Sequence, residues 1–114
     1  MAQQNVNRKD LLTAFIENQK VTKIEIKEVK MLKGQVAPKH LHPCPVVGYV
    51  ESGTVLFQVE GEEKKIIKKG EAFYEPRNKT ILHFDNASQD ESLIFIAFYL
   101  VEKNEELIKL LTND

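Results

Sequence analysis

The sequence of 114 residues contains a single cysteine, Cys44, so no disulfide can form within the chain. A lone cysteine is typical of proteins that work in a reducing compartment. The first ten residues, MAQQNVNRKD, also lack the apolar core of a secretory signal. Together these absences predict a cytoplasmic protein.

Long apolar runs and an excess of charge of one sign are missing as well. The longest apolar run, LIFIAFYLV at 93–101, is about half as long as a membrane-spanning helix requires. Sixteen Lys and Arg residues are balanced by seventeen Asp and Glu residues, so the chain has no global field to attract a polyanion. We predict neither a membrane nor a nucleic acid as a partner. The sequence contains no GxSxG, P-loop or dinucleotide motif.

Short runs with apolar residues at alternate positions follow one another along most of the chain, separated by turns that contain glycine. They lie at 21–29, 46–53, 54–76 (a hairpin and a second turn), 80–86 and 92–101. Their spacing of about ten residues predicts one all-β domain, a sandwich or a barrel. Residues 1–20 are predicted to form an N-terminal arm, with helical spacing in 10–18. Residues 102–114 are predicted to form a short C-terminal helix or tail, because Leu107, Leu110 and Leu111 share one helical face.

Two of the three histidines, His40 and His42, are separated by one residue. Side chains two apart in a strand point to the same side, so both imidazoles should reach one place. His83 lies on a later strand, where it is expected to share a face with Ile81. Three imidazoles that converge across a barrel would suit a transition metal. The alternative is a polar spot in the barrel wall.

The residues around these histidines resemble the two motifs of the cupin family. The first motif is matched by Gly34, His40, His42 and Gly53, and the second by Gly70, Pro76 and Asn86. The resemblance covers residues 21–101. It implies a double-stranded β-helix, or jelly-roll barrel, with the histidine pair lining its interior.

Three positions depart from the family pattern. Val46 stands where the first motif has a glutamate ligand, and Asn78 where the second motif has a glycine. Ile81 stands where the second motif has a histidine, and His83 follows two residues later. The resemblance implies His40, His42 and His83 as metal ligands, with His83 displaced by about 7 Å along its strand.

Other residues of the predicted barrel could contact a ligand. The predicted pocket consists of Val46, Tyr49, Gln58, Tyr74 and Ile81. Tyr49, Tyr74 and Glu75 could supply a proton or a hydrogen bond, or could simply lie at the rim. Cys44 is either a soft ligand, a reactive thiol or a small residue in a loop. Strand 94–99 is apolar on both faces and should be covered on each, which favours a homodimer.

The sequence leaves two main functions open, beside a third in which the barrel is only an interaction module with neither a metal nor a ligand-sized cavity. One is a cupin barrel that binds a small molecule in a histidine-lined pocket with little or no catalysis. The other is a metal-dependent cupin enzyme, an oxygenase, isomerase or lyase, acting on a small oxygenated substrate. The cofactor in that case is one divalent transition metal (Zn, Fe, Ni, Mn or Cu), which would polarise the oxygens of the substrate.

Overall fold

The computed structural model describes residues 5–16 and 18–111, and every regular element among them is a β-strand. The strands are β1 (Lys23–Met31), β2 (His40–Leu41), β3 (Val46–Ser52), β4 (Thr54–Val59), β5 (Lys65–Lys68), β6 (Ala72–Glu75), β7 (Ile81–Asn86), β8 (Leu93–Val101) and β9 (Lys109–Leu110). The predicted all-β fold is therefore confirmed.

The strands form two sheets that face each other. The first sheet has the order β1-β8-β3-β6, and the second has the order β5-β4-β7-β2-β9. The pairs that join neighbouring strands are antiparallel. Because the chain passes repeatedly from one sheet to the other, residues distant in sequence meet inside the barrel.

Alternation along the strands creates the core between the sheets. In β4, for example, Val55, Phe57 and Val59 are buried while the residues between them are partly exposed. The centre is aromatic: the ring of Phe84 lies 5.0 Å from that of Phe73 and 4.6 Å from that of Phe95, centroid to centroid. Aromatic rings packed at such angles and distances contribute beyond the area that they bury.

Close packing at the middle of the first sheet requires a glycine. A Cβ atom at Gly48 would lie 2.1 Å from the carbonyl oxygen of Ile96 and 2.6 Å from Cζ of Phe73. Gly48 thus leaves room for the Phe73 ring to lie flat over β3. This ring belongs to the same strand, β6, that ends in Glu75.

A bulge between β4 and β7 decides which way His83 points. The register pairs Phe57 with Phe84 and Gln58 with His83, but Val59 then pairs with Ile81. One extra residue in β7 therefore places both Ile81 and Phe84 on the interior side. His83, beside Gln58, faces outward, so the expectation that it shares the face of Ile81 does not hold.

Neither chain end forms a helix among its described residues. No helix occurs in the described residues of the arm, and none in the described part of the chain is long and apolar enough to cross a membrane. The predicted C-terminal helix is wrong: residues 102–111 run as an irregular segment that ends in β9, where it pairs with β2. Residues 112–114 of that prediction lie outside the described residues, as do 1–4 and 17.

Candidate metal site

His40 and His42 converge inside the barrel, as their spacing predicts. His40 lies in β2, which is held between β7 and β9, and His42 follows directly after that strand. Their side chains are 7% and 5% exposed. The two rings meet edge to face with centroids 4.9 Å apart.

A carboxylate completes the group, and it comes from Glu75 at the end of β6. Glu75 Oε2 lies 2.9 Å from Nε2 of His42 and 3.5 Å from Nε2 of His40. One candidate ligand atom from each residue lies within 4.8 Å of the other two. The structure thus brings together two imidazoles and one carboxylate, a set that could hold a metal ion.

The register of the first sheet explains why Glu75 reaches this position. Val46 of β3 pairs with Glu75 on one side and with Tyr99 of β8 on the other. Paired residues on antiparallel strands point to the same face, with Cβ atoms about 5 Å apart. The carboxylate that Val46 cannot provide is therefore supplied by its cross-strand neighbour.

Backbone carbonyls hold the other nitrogen of each imidazole. His40 Nδ1 lies 2.8 Å from the Pro38 oxygen, and His42 Nδ1 lies 2.6 Å from the Leu107 oxygen. A carbonyl oxygen only accepts hydrogen bonds, so each Nδ1 carries a proton and donates it. This leaves each Nε2 as the nitrogen that can bind a metal, the arrangement typical of ligating histidines.

The pKa values of His42 and Glu75 are shifted in the directions that favour an ion pair between the two side chains. Burial alone would lower the pKa of His42, but the hydrogen bond and negative charge of Glu75, with the Leu107 carbonyl, raise it. Burial alone would raise the pKa of Glu75, but hydrogen bonds from His40 and His42 and their positive charge lower it. A proton on Nε2 of His42 therefore occupies the place that a metal would take.

Tyr99 lies beside the cluster, next to Val46 on the same interior face. Its ring centroid is 5.8 Å from that of His42. Burial, followed by the negative charge of Glu75, raises the pKa of Tyr99 to about 12. The phenol, like an ordinary tyrosine but with a wider margin, is protonated at physiological pH and can donate a hydrogen bond to a bound ligand.

Cys44 lies near this region but outside the set of metal-binding atoms described above. It is fully buried, and burial with the charge of Glu105 raises its pKa to about 11. A thiolate, the form that binds metals and reacts, is thereby disfavoured. Of the alternatives posed for Cys44, the structure favours a packed residue between two prolines.

His83 does not join the other two histidines. Its Nδ1 lies 2.9 Å from Oδ2 of Asp85, and its side chain is 35% exposed. Asp85 also accepts a hydrogen bond from the backbone amide of Ala37. In this structure Glu75, and not His83, is the third group beside His40 and His42.

The five predicted pocket residues separate into two groups. Val46 and Ile81 are buried and face the interior beside the cluster, Ile81 opposite His40. Tyr49 and Tyr74 lie on the outer face of the first sheet, where Tyr49 pairs with Ala72 and Tyr74 pairs with Val47. Gln58 also faces outward, and its amide donates to the Glu62 carbonyl.

Two surface hollows lie away from the cluster. A groove of about 930 Å³ runs between the edges of β5 and β6, beside residues 9–12 of the arm. A second hollow of about 550 Å³ lies between the arm and the outer face of the first sheet. His40, His42 and Glu75 line neither of them, so both hollows are separate from the histidine chemistry.

From the sequence, Glu75 was predicted either to supply a proton or a hydrogen bond to a ligand or to lie at the rim, and not to join the histidines. One signal was available in the sequence. Phe73 and Glu75 are two residues apart in one strand, so the face that buries the Phe73 ring also carries the Glu75 carboxylate. A buried carboxylate needs partners, and the histidine pair provides them.

The sequence profile of the cupin domain matches residues 27–99, more than half of the chain. The chain belongs to the cupin family. No curated protein matches this cupin at the level of sequence.

Solved structures share its fold. Oxalate oxidase in complex with the substrate analogue glycolate is 20% identical with a TM-score of 0.67, covering 77% of this chain and 46% of that one. The DMSP lyase DddQ from Ruegeria pomeroyi is 20% identical with a TM-score of 0.66, covering 76% and 42%. A cupin-like protein from Thermotoga maritima is 25% identical with a TM-score of 0.62, covering 77% and 64%. This cupin therefore spans less than half of the first two proteins, and the likeness concerns the fold.

Proposed function

We propose that this cupin binds one divalent transition metal through Nε2 of His40, Nε2 of His42 and the carboxylate of Glu75. The observation that carries the proposal is the approach of these three groups, with both Nδ1 atoms already engaged by carbonyls. Two histidines and one carboxylate form the set used by non-haem Fe(II) sites, which makes Fe²⁺ our first choice.

We further propose that the protein is a metal-dependent enzyme acting on a small oxygenated compound. The bound metal would supply Lewis acidity toward the oxygens of that compound. The neutral hydroxyl of Tyr99, whose ring lies beside His42, would donate a hydrogen bond to the ligand. Val46 and Ile81 would exclude water and restrict the ligand to a small size, since both are fully buried beside the cluster. Two enzymes among the structural neighbours, an oxalate oxidase and a DMSP lyase, also act on small molecules.

A binding barrel without catalysis is the second candidate. The enclosure of the three side chains, each no more than 7% exposed, favours it, because a closed site limits the exchange of substrate. Loading the protein with Fe²⁺ and measuring oxygen consumption or turnover of small hydroxy acids would separate the two functions. Turnover that depends on Glu75 supports the enzyme, and binding without turnover supports the barrel.

The proposed site predicts which histidine substitutions affect metal binding. Titration with Co²⁺, whose visible bands report its coordination, should show one ion bound per chain. His42→Ala should weaken this binding at least about 100-fold, because a direct ligand should matter more than the outer partners whose loss costs roughly 10–100-fold. His83→Ala is the matched control and should bind like the wild type. Equal losses in both variants, or a loss confined to His83→Ala, would refute the assignment.

We also propose that the protein forms a homodimer through the outer face of the first sheet. Ile24 and Ile26 of β1 are more than half exposed there. They pair with Leu100 and Phe98 of β8, so the apolar area continues across the strands. A second copy of this face would cover it with an equally apolar surface.

The homodimer can be tested by sedimentation of variants that place a charge on either sheet. Ile26→Glu should raise the dimer dissociation constant at least about 100-fold, because the interface would bury an unpaired carboxylate. Ile66→Glu changes a similarly exposed isoleucine on β5 and should leave the dimer intact. A wild-type protein that sediments as a monomer, or a dimer that tolerates Ile26→Glu, would refute this interface.

A further inference from the structure

Residues 102–111, here called the C-terminal strap, contact both histidines of the site. The Leu107 carbonyl accepts the hydrogen bond from His42 Nδ1 at 2.6 Å. Leu110 of β9 pairs with His40, and the Leu111 amide donates to the Lys39 carbonyl at 3.1 Å. The strap therefore lies against His42 on the side opposite Glu75.

The Glu105 carboxylate fastens the start of the strap to the barrel, beside the hydrogen bond that the Lys103 amide donates to Oγ1 of Thr22 at 2.6 Å. Glu105 accepts a hydrogen bond from Arg77, which follows Glu75 by two residues. Its other oxygen accepts from the backbone amide of Glu102 at 2.8 Å, so the side chain also shapes the turn that opens the strap. Arg77 in turn donates to the side chain of Gln19. Glu105 thus links the strap to the strand end that carries the candidate ligand.

The strap has few other attachments. Its only regular element, β9, is two residues long and exposed at both of them. Ile108 and Leu110 carry their apolar side chains in solvent. Segments with short pairing and little burial open at a lower free energy than the core strands. The strap is therefore the part of the cluster's surroundings that should open first.

We propose that the strap is a positioning element whose closure is coupled to metal binding. The inference rests on the proposed metal site. In the closed strap, the Leu107 carbonyl keeps the proton of His42 on Nδ1 and leaves Nε2 for the metal. Opening the strap removes this acceptor and lets the imidazole turn or change tautomer. Because such coupling is reciprocal, bound metal must also hold the strap closed.

Glu105→Ala tests the coupling in the full-length chain. The variant should weaken Co²⁺ binding roughly 10-fold, within the range found when an outer partner of a ligating histidine is lost. Glu106→Ala, the neighbouring exposed acid, is the control and should bind like the wild type. Glu105→Gln retains an oxygen that can accept from the Glu102 amide or from Arg77 and should restore most of the affinity. An Ala variant with wild-type affinity would overturn the proposal.

Hydrogen exchange gives a readout that a merely structural role of Glu105 would not move. Saturating Co²⁺ should slow exchange of the Leu111 amide and of β9 in the wild type and also in Glu105→Ala, whose metal-free exchange there should be faster than that of the wild type. If the wild type binds Co²⁺ but its exchange does not change, the coupling is overturned and the metal site stands. A wild type that binds no Co²⁺ would instead overturn the metal site itself.

Discussion

Glu75→Gln is expected to lower the affinity of this cupin for Co²⁺ at least about 100-fold while the barrel remains folded. The glutamine has the same size as the glutamate and can still hydrogen-bond to His42, but it lacks the negative charge and the strong donor oxygen. The two remaining imidazoles cannot match a set that includes a carboxylate. Because the loss concerns a direct ligand, it should exceed the roughly 10–100-fold effect of an outer partner. Calorimetric titration at constant pH measures it.

The same variant should change how stability depends on pH in the metal-free protein. The pKa of Glu75 is lowered from its ordinary value of 4.5, so its contribution to the free energy of unfolding is present above that pH and lost as pH falls through the folded pKa. The pKa of His42 is raised from 6.5, so its contribution is present below that pH and lost as pH rises through the folded pKa. The pair stabilises the wild type most between these two values. Urea unfolding of Glu75→Gln should lack this maximum, because the losses of stability that the pair causes below pH 4.5 and above pH 6.5 in the wild type disappear.

Asp85→Asn is the matched control for both measurements. Asp85 is also a buried carboxylate hydrogen-bonded to a histidine, His83, but it lies outside the proposed site. The Asn variant should keep wild-type metal affinity and the wild-type maximum of stability between pH 4.5 and 6.5. If Asp85→Asn lost the metal and Glu75→Gln kept it, the ligand assignment would be wrong.

Phe84→Ala is expected to lower the free energy of unfolding by about 3–5 kcal/mol, the range found for large aromatic residues removed from a core. Phe84 is nearly fully buried and contacts three other phenylalanine rings, so its removal leaves a cavity that its rigid neighbours cannot fill. Urea denaturation of metal-free protein gives the value.

Phe15→Ala removes the same side chain from the arm, where Phe15 is 85% exposed. It should change stability by no more than about 0.5 kcal/mol, as surface substitutions usually do. If Phe84→Ala cost under about 1 kcal/mol, the aromatic cluster would not be the centre of the core.

The fold could be predicted because its signals are local. Alternation within most strands and glycine at several turns depend on residues that are near in sequence. The convergence of His40 and His42 was predictable for the same reason, since one strand period separates them. These features can be predicted without knowing how the strands pair.

The remainder of the site depends on pairing between distant strands. Glu75 reaches the histidines because β6 pairs with β3 in a register that sets it opposite Val46, and no local pattern specifies that register. His83 points away because a single bulge in β7 reverses the alternation on which its prediction rested. The leucines of the C-terminal strap have helical spacing, but pairing with β2 overrides this weak preference.

The central claim, that His40, His42 and Glu75 bind a metal, is tested most directly by anomalous diffraction from crystals of protein loaded with Fe²⁺ or Zn²⁺. The account predicts one anomalous peak per chain, about 2.0–2.2 Å from the two Nε2 atoms and a Glu75 oxygen. A peak beside His83 and Asp85, or no peak in crystals grown with excess metal, would contradict it.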